Sequence, residues 1–348
     1  MKFADAINDA LHVAMAQDPK VLCYGLGTTD PKRIFGTTDG LVERFGNDRV
    51  FDMPTAENAM MGVGIGAALG GYRSVFTHQR FDFVLLAVDQ IVNAAAKWHA
   101  MFGGQSSIPL VIRVLVGRGW GQGPTHSQCL HAWFAHVPGL KVVMPTTPAD
   151  AKGLLLSSIF DGNPVLFIEH RWLHNMEGEV PSGDYRVPLG VAARLRQGDD
   201  LTIVSSSHMT VEALHAVDHI AAQGVSADLL DLRTVRPIDW PAIFASVERT
   251  GRLLVLDGGA ETGSLAGEII ARVVTSRPQA LKAPPRRLCM PDYAVPTSPA
   301  LTEGFYPDAA DVVRAVGELL GRPLETGSLQ AQRTWPHDVP GSWFSGPF

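Results

Sequence analysis

The sequence predicts an α/β protein of two doubly wound domains, each a mostly parallel sheet with helices on both faces. Its 348 residues exceed the roughly 100–150 that one ordinary core organises. Apolar runs ending in glycine alternate with helical patterns across residues 1–175 and again across 191–321, the order of a parallel sheet. Between them MEGEVPSGDYRVPLG, residues 176–190, concentrates glycine, proline and charge, as a linker does. From 322 to 348 the chain carries Trp335, Trp343, Phe344 and Phe348 among prolines and glycines. An extended tail packed on this chain or on a partner is expected there, with a disordered tail as the alternative.

The elements follow in order. Phe3, Ile7, Leu11 and Met15 fall on one helical face, and Asp5 and Asp9 argue for a helix of the mature fold rather than an export signal. VLCYGLG and Arg49 to Met53 read as buried strands. PTAENAMMGVGIGAALGG opens on Pro54 and a cap-like Thr55 and closes on a glycine pair, so it reads as a buried helix. SVFTH, a helix from Asp82 to His99, the strands PLVIRVLV and KVVMP, the helix PADAKGLLLSSIF and the strand PVLFIEH complete the first unit. The second runs through DLTIVSSS, a helix from Thr210 to Gln223, the strand SADLLDLRTVRP, a helix from Pro241 to Thr250, RLLVLDGG, and a helix from Ser264 to Thr275.

Composition excludes several functions. Charged residues make up 18% against roughly 25% in typical soluble domains, so part of the surface is expected to be covered by another subunit. The net charge of −6 and the lack of a basic stripe exclude nucleic acid or an anionic membrane as the main partner. Met60 to Leu69 falls short of the roughly 20 apolar residues of a membrane span. Three widely spaced cysteines, Cys23, Cys129 and Cys289, form no CxxC pair and fit reduced thiols in a cytoplasm.

Several motifs carry two readings. Gly62, Gly64 and Gly66 lie inside a helix, where they allow close packing, and not in the turn that a dinucleotide fingerprint needs. LDGGAETG stands at a strand end before a helix, an anion-loop position by place, but an ordinary connection is the favoured reading because it lacks the Lys of a phosphate loop. Glu57 opens an apolar helix just past a strand end, where ligands of parallel sheets collect; on spacing alone it is also a plain helix-start acid. Phe81 and Phe83 read as core aromatics. GRGWGQGPTHSQCLHAWFAH spaces His126, His131 and His136 five apart, which suits no helical zinc pair. A glycine-rich loop delivering His126 for acid–base work and a merely solvated loop histidine both fit.

Taken together, PTAENAMMGVGIGAALGG, RFDFVLLAVDQIVNAAAKWHAMFGG, THSQCLHAWFAHVPGLKVVMPTTPADAKGLLLSSIFDGNPVLFIEH and DLRTVRPID resemble the beta subunit of the thiamine-diphosphate-dependent dehydrogenase component of 2-oxo acid dehydrogenase complexes, of pyruvate or branched-chain type. The resemblance runs over residues 1 to about 320 in order. It implies a transketolase-like pyrimidine-binding domain followed by a transketolase C-terminal domain. It also implies that Glu57 hydrogen-bonds the cofactor's aminopyrimidine, favouring the imino tautomer that removes the thiazolium proton. Such a carboxyl needs an apolar setting, for which Met60, Met61 and Val63 are the neighbours in sequence. Phe83 matches the ring that stacks on the aminopyrimidine, Gln79 is a further cofactor contact, and His126 matches the histidine that handles substrate or the acyl group.

The resemblance further implies a structural K+ or Na+ held mainly by main-chain oxygens at Leu110, Ser158, Ile159, Asp161 and Asn163. Magnesium in such enzymes is held by a GDG segment and a later Asn-Asn, and neither stands in this chain. An alpha subunit is therefore expected to hold Mg2+ and the diphosphate in an α2β2 heterotetramer, with a lipoyl acyltransferase as a further partner. The implied reaction is decarboxylation of a 2-oxo acid and onward transfer of the acyl group. The alternatives are a carboligase or transketolase-like half that passes the enamine to an aldehyde, and a non-catalytic scaffold subunit. Arg118, His78 and Arg80 depart from the ordinary pattern and bear on the substrate, as holders of a second carboxylate or phosphate or as structural charges.

Overall fold

The computed structural model describes residues 1–327, 329 and 335–340. Helix α1 (Phe3–Gln17) buries the predicted face of Phe3, Ile7, Leu11 and Met15. Then come β1 (Val21–Gly25), α2 (Leu41–Phe45), β2 (Val50–Asp52), α3 (Glu57–Leu69) and β3 (Arg73–His78), followed by helical turns that end in α4 (Ala96–Met101). The first half closes with β4 (Leu110–Val116), α5 (His131–Ala135), β5 (Lys141–Val143), α6 (Pro148–Ile159) and β6 (Val165–His170). The second half holds β7 (Ala193–Arg196), β8 (Leu201–Ser205), α7 (His208–Ala221), β9 (Ala227–Asp231), β10 (Thr234–Arg236), α8 (Trp240–Thr250) and β11 (Leu253–Ala260). It ends with α9 (Leu265–Ser276), β12 (Arg286–Met290), α10 (Pro299–Thr302) and α11 (Ala309–Leu320).

Two sheets result, in the orders β10-β5-β6-β4-β3-β1-β2 and β12-β11-β8-β9-β7. Every pairing is parallel except those of β10 with β5 and β7 with β9. The central strands are buried along their length, β4 throughout, which is why they read as unbroken apolar runs. Gly64 lets α3 lie on β1, since a Cβ there would stand 2.3 Å from the Tyr24 hydroxyl.

Two expectations about the elements are corrected. The helix expected from Asp82 to His99 is a 3-10 turn (Phe81–Ala87), a wide π turn (Gln90–Ala95) and then α4. Phe81, Val84 and Ala87 are all buried, and at three residues per turn a spacing of three brings them onto one core face. SADLLDLRTVRP is not one strand. The chain turns at Arg233, which has φ 56°, and β10 leaves the second sheet to pair with β5 of the first. The segment 176–190 carries no helix or strand and is bound to α6, with Val187 buried and its carbonyl accepting from the Ser157 hydroxyl at 2.6 Å. Of the tail, residues 335–340 turn back onto α10, where His337 Nε2 lies 2.9 Å from the Thr302 hydroxyl; Trp343, Phe344 and Phe348 lie outside the described residues.

Buried charge is concentrated at a few points. Arg113 of β4 and Glu169 of β6 are both fully buried and pair through Nε at 2.7 Å and Nη2 at 3.0 Å. At the end of β9, burial pushes the Asp231 carboxyl up to about 7. A folded value above the unfolded one means that its stabilising effect is complete in acid and is lost as pH rises from about 4 through 7. Asp231→Asn is therefore expected to melt progressively higher than the wild type between pH 5 and 8, by an amount on the order of 1–4 kcal/mol at the upper end. Thermal melts at stepped pH check this, and a difference that does not grow with pH overturns it.

Candidate active site

The candidate residues gather where the parallel strands of the first sheet end, the edge at which ligands of such sheets bind. β2 leads into α3, whose first residue is Glu57. Ala56 at the N-cap offers no capping side chain, so a carboxylate in the first turn complements the unpaired N–H groups and the helix dipole. Glu57 is 6% exposed. Of its expected apolar neighbours Met61 is buried and Met60 half-buried, whereas Val63 points outward at 55% exposure. Helix α3 packs on the 3-10 turn that carries Phe83.

From β4 the glycine-rich loop delivers His126 to the same place. Its start has to be Gly117, because a Cβ there would stand 2.2 Å from the His126 carbonyl oxygen. The His126 ring meets Phe83 edge-on, with centroids 5.5 Å apart and planes at 83°. Nδ1 of His126 lies 3.1 Å from the Thr125 hydroxyl, which leaves Nε2 for an incoming group. Gln79, at the end of β3, lays its amide against Gly27 in the loop after β1, on the same edge of the sheet.

Sequence reasoning missed Asp82. It is buried and accepts from Gln128 Nε2 at 2.7 Å, so it fastens the His126 segment to the turn that carries Phe83. Burial pushes its carboxyl up, opposed by the Gln128 hydrogen bond and the charge of His126. The available signal was a lone acid between two phenylalanines in RFDFVLLA.

The unusual basic residues are packed into the protein. His78 is buried, which drives its pKa down to about 3 and keeps the ring neutral. Arg80 donates to Gln122 Oε1 at 2.9 Å and stacks over Phe35. The Arg118 guanidinium lies between the rings of Trp172 and Tyr306, 4.1 and 4.3 Å from their centroids, with Nη1 3.1 Å from His208 Nδ1.

The other candidate sites resolve differently. In LDGGAETG the loop's own Asp257 accepts from Gly259 N at 2.8 Å and Ala266 N at 3.1 Å, so the anion at this helix start is internal. Leu110, Ser158, Ile159, Asp161 and Asn163 lie at the opposite end of the first sheet, around the start of β4 and the end of α6. There the carbonyls of Ile159 and Asp161 accept from Arg73 Nη1 at 3.2 and 3.4 Å, and the Asp161 carboxylate pairs with Lys141. Among the described residues no group of three His, Cys, Asp or Glu side chains could hold a metal.

Comparison with known proteins decides the family. Models of the transketolase pyrimidine-binding domain and the transketolase C-terminal domain match residues 1–176 and 190–312. The beta subunit of an acetoin:2,6-dichlorophenolindophenol oxidoreductase from Cupriavidus necator is 42% identical over 89% of this chain and 94% of its own length. The 2-oxoisovalerate dehydrogenase subunit beta of Bacillus subtilis is 40% identical over 92% and 98%. The pyruvate dehydrogenase E1 component subunit beta of Rhizobium meliloti is 39% identical over 91% and 69%.

The chain belongs to the beta-subunit family of the thiamine-dependent 2-oxo acid dehydrogenases.

The fold of this beta-type chain is transketolase-like. A solved split-gene transketolase, described as an inactive beta4 tetramer, superimposes with a TM-score of 0.74 at 24% identity, over 93% of this chain and 99% of the other. Beta-type chains of this family are enzyme subunits. The elements that carry Glu57, Phe83 and His126 all fall inside the pyrimidine-binding match.

Proposed function

We propose that this chain is the beta half of a thiamine-diphosphate-dependent 2-oxo acid dehydrogenase and supplies the aminopyrimidine side of an active site completed by an alpha subunit. The observation that carries the proposal is the edge-on contact of His126 with Phe83, beside a helix that opens on the buried Glu57. When bound, thiamine diphosphate supplies a carbanion that attacks a ketone carbon and accepts the electrons of the bond broken there. Glu57 would hold a proton at the pyrimidine ring nitrogen, Phe83 would support the ring, and Gln79 would line the same edge. His126, with Nδ1 engaged by Thr125, would present Nε2 to the substrate and assist transfer of the acyl group.

Magnesium and the diphosphate would be held by the alpha subunit, since the GDG segment and the later Asn-Asn that such enzymes use do not stand in this sequence. Exposed apolar side chains on the first domain are available to that subunit. Val63, Leu69, Leu86, Met101, Phe102 and Trp133 are large apolar side chains left 43–64% exposed, and a Cβ on Gly66 of α3 would meet nothing within 4 Å. These features support an α2β2 assembly, with a lipoyl acyltransferase as a further partner. A structural K+ or Na+ at Leu110, Ser158, Ile159, Asp161 and Asn163 would share the Ile159 and Asp161 carbonyls with Arg73. A cytoplasmic setting belongs to the same reading, supported by three widely spaced free cysteines.

A second substrate class is favoured by the relatives named for acetoin, a neutral hydroxyketone whose carbon–carbon bond the same chemistry would cleave. The test is co-expression with an alpha-type subunit and a screen of 2-oxo acids and hydroxyketones with an artificial electron acceptor. His126→Ala is expected to lower kcat about 10²–10⁴-fold with thiamine diphosphate still bound. A complex that binds no cofactor overturns the proposal, and an unchanged kcat removes His126 from it.

A further inference from the structure

Cys129, three residues after His126, belongs to a constellation that the proposed function does not use. Its sulfur lies 3.3 Å from Nδ1 of His131, whose Nε2 lies 3.0 Å from Asp257 Oδ1. Asp257 is anchored from the other domain's side by the Gly259 and Ala266 N–H groups. Burial alone would strip His131 of its proton, but the Asp257 charge, helped by Cys129, outweighs burial and holds the ring protonated. Both ring N–H groups are then donors, one to Asp257 and the other to the sulfur.

His131 and Asp257 are 2% and 4% exposed, whereas Cys129 is only half-buried. It lines a cavity between the two domains with Ser127, Met144, Met209, Gly258 and Met290. A thiol whose negative form accepts from an oriented imidazolium, itself fixed by a carboxylate, is the nucleophile arrangement of thiol enzymes. Cys23 and Cys289 lack such a partner, and burial pushes their thiols up to about 11 and about 12.

We propose that Cys129 is a nucleophilic thiol, primed by His131 and Asp257 for exchange with low-molecular-weight disulfides. Its sulfur forms a new S–S bond to one sulfur of the reagent, the reagent's own S–S bond breaks, and the other sulfur leaves as a thiolate with the electron pair. The proton of Cys129 passes to solvent, and His131 Nδ1–H steadies the negative sulfur during attack. The adduct sits in the seam between the domains, on the loop that holds His126.

The full chain is treated with dithiodipyridine, and released thiopyridone is counted against time, with peptide mapping of the adduct. One equivalent is expected in a fast phase and maps to Cys129, while Cys289, which is also half-buried, reacts more slowly and the buried Cys23 only on unfolding. His131→Asn, and separately Asp257→Asn, are expected to slow the Cys129 phase by at least about tenfold. If Cys129 reacts no faster than Cys289 in the wild type, or if neither substitution slows it, the cluster is an inter-domain ion pair and nothing more. The comparison of cysteines within the wild-type chain holds even where a variant fails to fold, and none of these readouts depends on dehydrogenase activity.

Discussion

Glu57→Gln, assembled with an alpha-type subunit and saturated with thiamine diphosphate, turns over about 10²–10⁴-fold more slowly than the wild type. Glutamine keeps the size and a hydrogen-bonding end but cannot hold or share the proton at the ring nitrogen. Glu57 sits at the first turn of α3 with 6% exposure, so little solvent is present to supply that proton instead. The substitution removes one carboxylate near a helix amino terminus, a loss of only about 0.3–1 kcal/mol, so the fold persists. Steady-state turnover with melting and cofactor titration separates the two effects. Turnover within a few-fold of the wild type would remove Glu57 from the proposed mechanism.

Arg113→Met is the costliest single change expected for the fold, at about 3–5 kcal/mol, because it leaves Glu169 charged and fully enclosed. The Tm is expected to fall by roughly 10 °C. Arg113 also donates to the Thr37 hydroxyl at 3.1 Å, so the loop before α2 loosens with it. Burial raises the Glu169 carboxyl, but Arg113 and His174 outweigh burial and hold it below its ordinary range. A folded value below the unfolded one means that this contribution is present above the ordinary carboxylate range and is lost as pH falls through the folded value. The deficit of Arg113→Met therefore narrows in acid. Pairing it with Glu169→Leu is expected to recover much of the loss, since an apolar replacement of both partners leaves no buried charge. Differential scanning calorimetry of the wild type, Arg113→Met and the double variant checks both statements. A double variant as unstable as the single one would show that the ion pair is not the source.

The alternation of strands and helices was legible because the buried strands are short apolar runs, several of which, such as β1, β4 and β5, stop at or near a glycine or proline. What escaped depends on partners distant in sequence. Nothing local marks the turns after Phe81 as three residues wide; only the common burial of Phe81, Val84 and Ala87 reveals it. Likewise β10 continues DLL without a break in pattern, and only β5 tells it where to pair. Glu57, Phe83 and His126 were picked out by a resemblance, whereas each alone fits an ordinary structural role. His131 was noted for its spacing and rejected as a metal ligand, but its partner Asp257 comes from the other half of the chain. Arg113, a lone charge inside PLVIRVLV, was open to a sharper reading: an enclosed arginine demands an acid on a neighbouring strand, and Glu169 of VLFIEH was already in view.

The crossing of β10 into the first sheet bears on how such chains can be cut and recombined. A chain ended inside 176–190 would lose the strand that caps β5 and would expose that edge as a template for other molecules. Exchanging the second half between relatives as a unit would force a foreign β10 to find its register on the host's β5, and Arg233 of the incoming half would need the host's Asp150, now 2.9 Å away. The natural seam for a chimera is therefore not the segment that looks like a linker, because the inheritable unit of the first domain includes Thr234–Arg236.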